Sequence, residues 1–329
     1  MIPNDLRILT LLDWLENDCL LPVSLFEPAS NDASFRRYFR VTIEGNTFIA
    51  MDAPPDKEAI IPFIDIATLL KQADVNTPAI LQYNIEDGFI LLEDFGSKWL
   101  LDALHVDTVE TLYHQALSDL LPLHTNKMLL QAQLPHYDEE LLRREMALFE
   151  EWFVEHYLDD ELPPVLWENV QQLLISSALE QPKVCVHRDY HSRNLMVLPS
   201  GELGVLDFQD AVLGALTYDM VSLLRDCYVS WPSEQVERLL LGYFNQLTDA
   251  QIVDVDFAQF KRWFDLMGMQ RHLKAIGIFA RLHLRDDKSD YLNAIPRTLD
   301  YVIEVCGMYP QLHEFQHFLQ QRILPAIKK

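Results

Sequence analysis

Apolar residues recur every three or four positions across 1–20, MIPNDLRILTLLDWLENDCL, with Asp and Glu set between them. That period predicts an amphipathic helix. The pattern then switches. In SFRRYFRVTI (34–43) Phe39, Val41 and Ile43 alternate, Glu44-Gly45-Asn46 supplies a turn, and TFIAMDA (47–53) brings the chain back. The segment reads as a β-hairpin. A helix is expected over 60–72, where Pro62 fits the first turn. AILQYNI (79–85) and GFILLEDF (88–95) read as two more strands.

After Gly96 the period is mostly helical. Helices are expected over 107–123, 138–158, 165–179, 217–229, 233–247, 256–285 and 311–324, with short strands across 184–209 as the exception. The expected fold class is therefore α+β with two lobes. A small β-rich lobe (1–95) precedes a larger, mainly helical lobe (96–329), and ligands favour a cleft between such lobes.

Composition narrows the function classes. The chain has 329 residues, of which 49% are hydrophobic, and a net charge of −24. A nucleic-acid surface needs Lys and Arg in excess, so none is expected. No run of apolar residues approaches a membrane span, and the N-terminus lacks the basic start and apolar run of a signal peptide, which points to a cytoplasmic protein. Cys19, Cys185, Cys227 and Cys306 are far apart and form no metal or disulfide pattern. Nothing in the sequence sets an oligomeric state.

The chemistry concentrates in CVHRDYHSRNLMV (185–197). His187, Asp189 and Asn194 form H-x-D-x-x-x-x-N, and Asp207 follows in Leu206-Asp207-Phe208. Phosphoryl transfer from a nucleotide needs an acceptor hydroxyl positioned, Mg²⁺ held between phosphates, and developing charge neutralised. Asp189 suits the base, and Asn194 and Asp207 offer the hard oxygens that Mg²⁺ prefers. An isolated H-x-D-x4-N arises by chance in many proteins, where the Asp simply caps a turn. The second acidic element at this distance, together with the lobe order, weighs against that explanation.

Asp189-Tyr190-His191-Ser192-Arg193-Asn194, with His two places after the Asp, resembles the aminoglycoside phosphotransferase and choline-kinase-like family. So does LDFQDAVLGALTYDMVSLLRD (206–226). SNDASFRRYFR (30–40), MDAPP (51–55), LLRREMALFEEWFV (141–154) and DLMGMQRHLKAIGIFARL (265–282) are similar to the branch of bacterial anomeric sugar kinases acting on N-acetylmuramate and N-acetylglucosamine. The resemblance covers nearly the whole chain. It implies a protein-kinase-like fold, ATP and Mg²⁺ as cofactors, a small amino sugar as substrate, and transfer to the anomeric hydroxyl in cell-wall recycling.

The chain departs from the kinase pattern in two places. Met51 stands where a strand lysine would hold phosphates, and Ser30-Asn31-Asp32-Ala33-Ser34 stands where a Gly-rich loop would lie. Ser34 and the basic cluster Arg36, Arg37 and Arg40 are the candidates to meet phosphate instead. Glu58 or Asp65 would orient one of these arginines. The segment Leu92-Glu93-Asp94-Phe95 would form the hinge, with the Glu93 backbone and Phe95 against adenine.

For the acceptor, Arg193 adjoins the catalytic Asp, and Glu145 lies on a helix that would face the pocket. Arg271 and Lys274 share one face of an otherwise apolar helix. They would meet a carboxylate on the substrate, or only acidic residues of the protein. His187 and Asp219 are expected to brace the loop. Three rival readings stay open on the residues alone: an aminoglycoside kinase, a choline or homoserine kinase, and a nucleotide-binding pseudokinase.

Overall fold

The computed structural model describes residues 5–30 and 35–327. Ser34 and the stretch 31–33 beside it lie outside the described residues. Two compact units emerge: Met1–Leu100 with Leu195–Gln209, and Leu101–Asn194 with Asp210–Lys329.

The first unit is built on a five-stranded antiparallel sheet of β1 (Val23–Ser30), β2 (Arg37–Ile43), β3 (Asn46–Asp52), β4 (Ile80–Asn84) and β5 (Phe89–Glu93), in the order β1-β2-β3-β5-β4. The alternation read in the sequence is realised. Phe39, Val41 and Ile43 turn inward with Ala50, Phe89 and Leu91, and the apolar face of helix Leu6–Asp13 covers them through Ile8 and Leu11. Helix Ile61–Gln72 follows β3.

β1 has no counterpart among the strands expected from sequence. Pro28 lies inside it, opposite Phe39, and removes a ladder donor. That is tolerated because β1 is an edge strand. The short strands expected over 184–209 divide between the two units. β7 (Leu195–Val197) and β8 (Leu203–Val205) pair with each other and belong to the first unit. There Val197 N donates to Lys98 O and Val205 N to Asn76 O, both at 2.8 Å.

β6 (Lys183–Val186) and β9 (Val212–Ala215) form a two-stranded sheet in the second unit, which is otherwise helical. Its axis is helix Phe257–Asp286, in which every residue from Trp263 to Lys274 is buried. Asp256 caps its start by accepting from Gln259 N at 2.8 Å. The expected helix over 217–229 stops at Leu224, because Asp226 turns out of it to accept from Tyr228 N at 2.8 Å and from Ser192. Helix Ile295–Met308 was not expected from sequence, although Ile295, Thr298, Leu299, Val302 and Cys306 bury one face. Its β-branched residues mask the helical signal. No helix among the described residues is long and apolar enough to cross a membrane.

Gly277 lets two helix backbones touch. A methyl group there would lie 2.3 Å from both C and O of Leu148 and 2.6 Å from Phe149 N. The close approach matters one turn away on each helix, where Glu145 meets Lys274. Gly277→Ala must push the backbones apart. We expect a loss of about 1–3 kcal/mol, read as a lower melting temperature; an unchanged melting temperature would show that the helices have slack at this crossing.

Candidate active site

The segment 187–194 leaves β6 as a tight loop and is pinned by two buried carboxylates. Asp219, in the first turn of helix Tyr218–Leu224, accepts from His187 N at 2.6 Å and Arg188 N at 3.0 Å. Asp226 accepts from Ser192 N at 2.9 Å and from Ser192 Oγ. Arg188 takes a left-handed conformation, φ +75°, so the chain turns sharply before Asp189. Within the loop, Asn194 Nδ2 donates to Asp189 O at 3.0 Å, and Asp189 N donates to His187 Nδ1 at 3.2 Å. Tyr190 is fully buried and its hydroxyl donates to Ala116 O at 2.8 Å, which anchors the loop from below.

The backbone of the loop is thus committed, while the partly exposed Asp189 side chain faces a cavity of about 120 Å³. His191, Tyr218, Tyr228, Arg271 and Lys274 line the same cavity. Burial raises the Asp189 carboxyl, but Lys274, His191, Arg271 and His187 together bring it down to about 2. Burial dominates at Asp219 and lifts it to about 7, against the two backbone amides that favour its charged form.

Glu145 is buried at 4% exposure and serves two cations, one of them the cavity residue Lys274. Arg188 approaches it to 2.5 Å and Lys274 to 3.0 Å. Tyr137 and Gln270 also donate to it. Lys274 Nζ lies 3.1 Å from Tyr218 Oη. Burial lowers the Lys274 ammonium, but Tyr218, Glu145 and Asp189 outweigh that, so it stays cationic. Arg193 is exposed, its guanidinium 4.7 Å from the Tyr228 ring centre and 5.8 Å from that of Tyr291.

Asp207 belongs to the first unit, at φ +62°, with Gln209 Nε2 donating 2.8 Å to its Oδ1. The next residue, Phe208, is buried against Phe63. Met51 is fully buried in β3. The three arginines have separate partners. Arg36 pairs with Glu58 at 2.6 Å. Glu58 precedes helix Ile61–Gln72 rather than lying on it. Arg37 is held by Asp52 and Asp5. Arg40 pairs with Asp94 at 2.6 Å and donates to Gly96 O at 2.7 Å. Glu93 ends β5 with its side chain exposed, accepting from Ala79 N at 3.1 Å. Phe95 is buried against Gly204 of β8, where an added methyl group would lie 2.3 Å from the ring.

The second unit therefore brings together His187, Asp189, Arg193, Asn194, Asp219, Glu145, Arg271 and Lys274, all expected from sequence. Sequence reasoning passed over Arg188, Ser192, Tyr218 and Asp226. Arg188 and Ser192 stand inside the quoted motif, and the signal was that a buried loop needs partners for its backbone.

The phosphotransferase enzyme family matches residues 26–255. A Pseudomonas putida protein, N-acetylmuramate/N-acetylglucosamine kinase, is 44% identical over 98% of both chains. Among solved structures, a choline kinase from Streptococcus pneumoniae superposes with a TM-score of 0.67 at 14% identity, over 91% of this chain and 99% of that one. An ADP-bound aminoglycoside phosphotransferase superposes with a TM-score of 0.58 at 13% identity, over 90% and 98%.

Proposed function

From the premise that the chain belongs to the phosphotransferase enzyme family and is an ATP-dependent sugar kinase, we propose that it phosphorylates N-acetylmuramate and N-acetylglucosamine on the anomeric hydroxyl. The product is then the sugar 1-phosphate, in a route that recovers cell-wall sugars. The acceptor follows the name of the P. putida relative. One observation carries the chemistry: an ionised carboxylate, Asp189, at the wall of a cavity, on a loop whose backbone is fixed by Asp219 and Asp226.

Asp189 orients the acceptor hydroxyl and takes its proton as the phosphoryl group arrives. Its low pKa keeps it charged throughout the neutral range, so it acts by position more than by basicity. Asn194 in the second unit and Asp207 in the first each offer a hard oxygen of the kind Mg²⁺ prefers, and these are the residues that would hold the ion. Mg²⁺ would supply charge neutralisation for the phosphates. The cations beside Asp189, Arg271 and Lys274, oppose a polycationic acceptor such as an aminoglycoside.

Arg36 with Glu58 takes the role of the missing strand lysine and its glutamate. Arg37 and Arg40 are already bound to Asp52, Asp5 and Asp94 and act within the sheet. Arg36→Met should raise KM for ATP by roughly tenfold, as expected for one charged hydrogen bond, with KM for the sugar little changed. If instead Arg37→Met or Arg40→Met alone raised it, the assignment to Arg36 would be wrong.

The reading is tested by ADP release from Mg·ATP with N-acetylmuramate, N-acetylglucosamine, kanamycin and choline in parallel. Turnover is expected with the two amino sugars. Turnover only with kanamycin or choline would move the substrate, and none at all, with ATP still bound, would leave a pseudokinase.

A further inference from the structure

In the second unit Arg225, Arg271 and Lys274 are buried and Arg188 is half-buried, and all but one of these four cations have a carboxylate among the described residues. Arg188 and Lys274 share Glu145. Arg225 pairs with Asp265 at 2.7 Å. Arg271, only 5% exposed, has none. Its Nε is buried without a hydrogen-bond partner, and Nη1 makes one long contact, 3.7 Å, to Cys227 Sγ. Asp189 and Asp226 act on it from farther off than an ion pair, and a buried guanidinium whose N–H groups lack hydrogen-bonded partners is unfavourable.

Its position says what the missing partner is. Arg271 lines the cavity that Asp189 faces. On the same wall His191 Nδ1 is also buried and without a partner. Two polar groups are thus prepared for a ligand that is not part of the chain. Lys274 lies one turn along the same helix face, but Glu145 and Tyr218 already occupy it. A guanidinium is a flat fork that matches a carboxylate with two parallel hydrogen bonds.

We propose that Arg271 binds the carboxylate of an acidic acceptor, and so sets the preference between N-acetylmuramate, which carries a lactyl carboxylate, and N-acetylglucosamine, which has none. The inference rests on the acceptors proposed above and names the residue that tells them apart. The transferring phosphoryl group is the rival anion for the same guanidinium. It is common to both acceptors, whereas the carboxylate belongs to one.

The test is steady-state kinetics of the wild type, Arg271→Met and Arg271→Lys at saturating Mg·ATP with each sugar. Arg271→Met should raise KM for N-acetylmuramate at least about tenfold, the equivalent of one charged hydrogen bond. Because Arg271 also acts on Asp189, kcat is expected to fall on both sugars alike, whereas KM for N-acetylglucosamine should change far less than KM for N-acetylmuramate. Arg271→Lys should recover part of the loss. An equal rise in KM for both sugars would overturn the proposal, as would no effect on either KM.

The wild type with the neutral carboxamide of N-acetylmuramate gives the answer even if Arg271→Met does not fold. Its KM should rise above that of the acid, and an unchanged KM overturns the proposal. A wild type that turns over neither amino sugar would instead sink the functional reading, a separate outcome.

Discussion

Asp189→Asn lowers kcat by about 10²–10⁴-fold or more, the range for loss of a positioned base, while Mg·ATP still binds. The substitution keeps the shape of the side chain and removes its charge. The loop should survive it, because the bonds that hold 187–194 run through backbone groups to Asp219 and Asp226 and leave the Asp189 carboxylate out. Nucleotide affinity, read by isothermal titration, therefore stays near the wild-type value. Retained turnover would remove Asp189 from the chemistry. Loss of nucleotide binding with it would mean the residue supports the site rather than acting in it. Because neighbouring cations hold its pKa at about 2, a fall in rate between pH 5 and 7 is expected to come from a group other than Asp189.

Glu145→Gln destabilises the second unit by about 3–5 kcal/mol, the cost of removing one partner of a buried ion pair. Here the charge removed serves two cations, Arg188 and Lys274, and receives the Tyr137 hydroxyl as well. The isosteric amide leaves volume unchanged, so the effect reports charge rather than packing. Glu145→Gln combined with Lys274→Met should regain part of the stability, since one stranded cation goes with its partner. Strictly additive losses would contradict the coupling.

The pH dependence follows with its sign. Burial raises the Glu145 carboxyl, but Lys274 and Arg188 outweigh it and hold the folded value below the ordinary one. Its stabilisation is present above the unfolded pKa of about 4.3 and is lost as pH falls through the lower folded value. The melting temperature of the wild type should drop toward that of Glu145→Gln on acidification below about pH 4. Activity should fall with the same substitution, because Arg188 is the residue before Asp189.

Local pattern made much of this legible. The period-two run through Phe39, Val41 and Ile43 and the turn at Gly45 gave the hairpin, and the apolar period gave the long helix to within a residue or two of Phe257–Asp286. His187, Asp189 and Asn194 were readable because loop chemistry depends on short, fixed spacing. What escaped depends on distance along the chain. Glu145 lies 125 positions from Gln270 and 43 from Arg188, and no local signal says which carboxylate will meet which cation. The same holds for Arg36, whose partner Glu58 was one of two candidates. β1 escaped because Pro28 argues against a strand unless the strand is known to lie at an edge, and edge position is a property of the finished sheet.

The central claim is transfer of a phosphoryl group to the anomeric oxygen of an amino sugar, and phosphorus NMR of the product tests it most directly. With N-acetylmuramate and Mg·ATP, the account predicts one new monoester resonance whose phosphorus couples to the anomeric proton. A resonance coupled to the C6 methylene protons would contradict it, and would place a different hydroxyl of the sugar against Asp189.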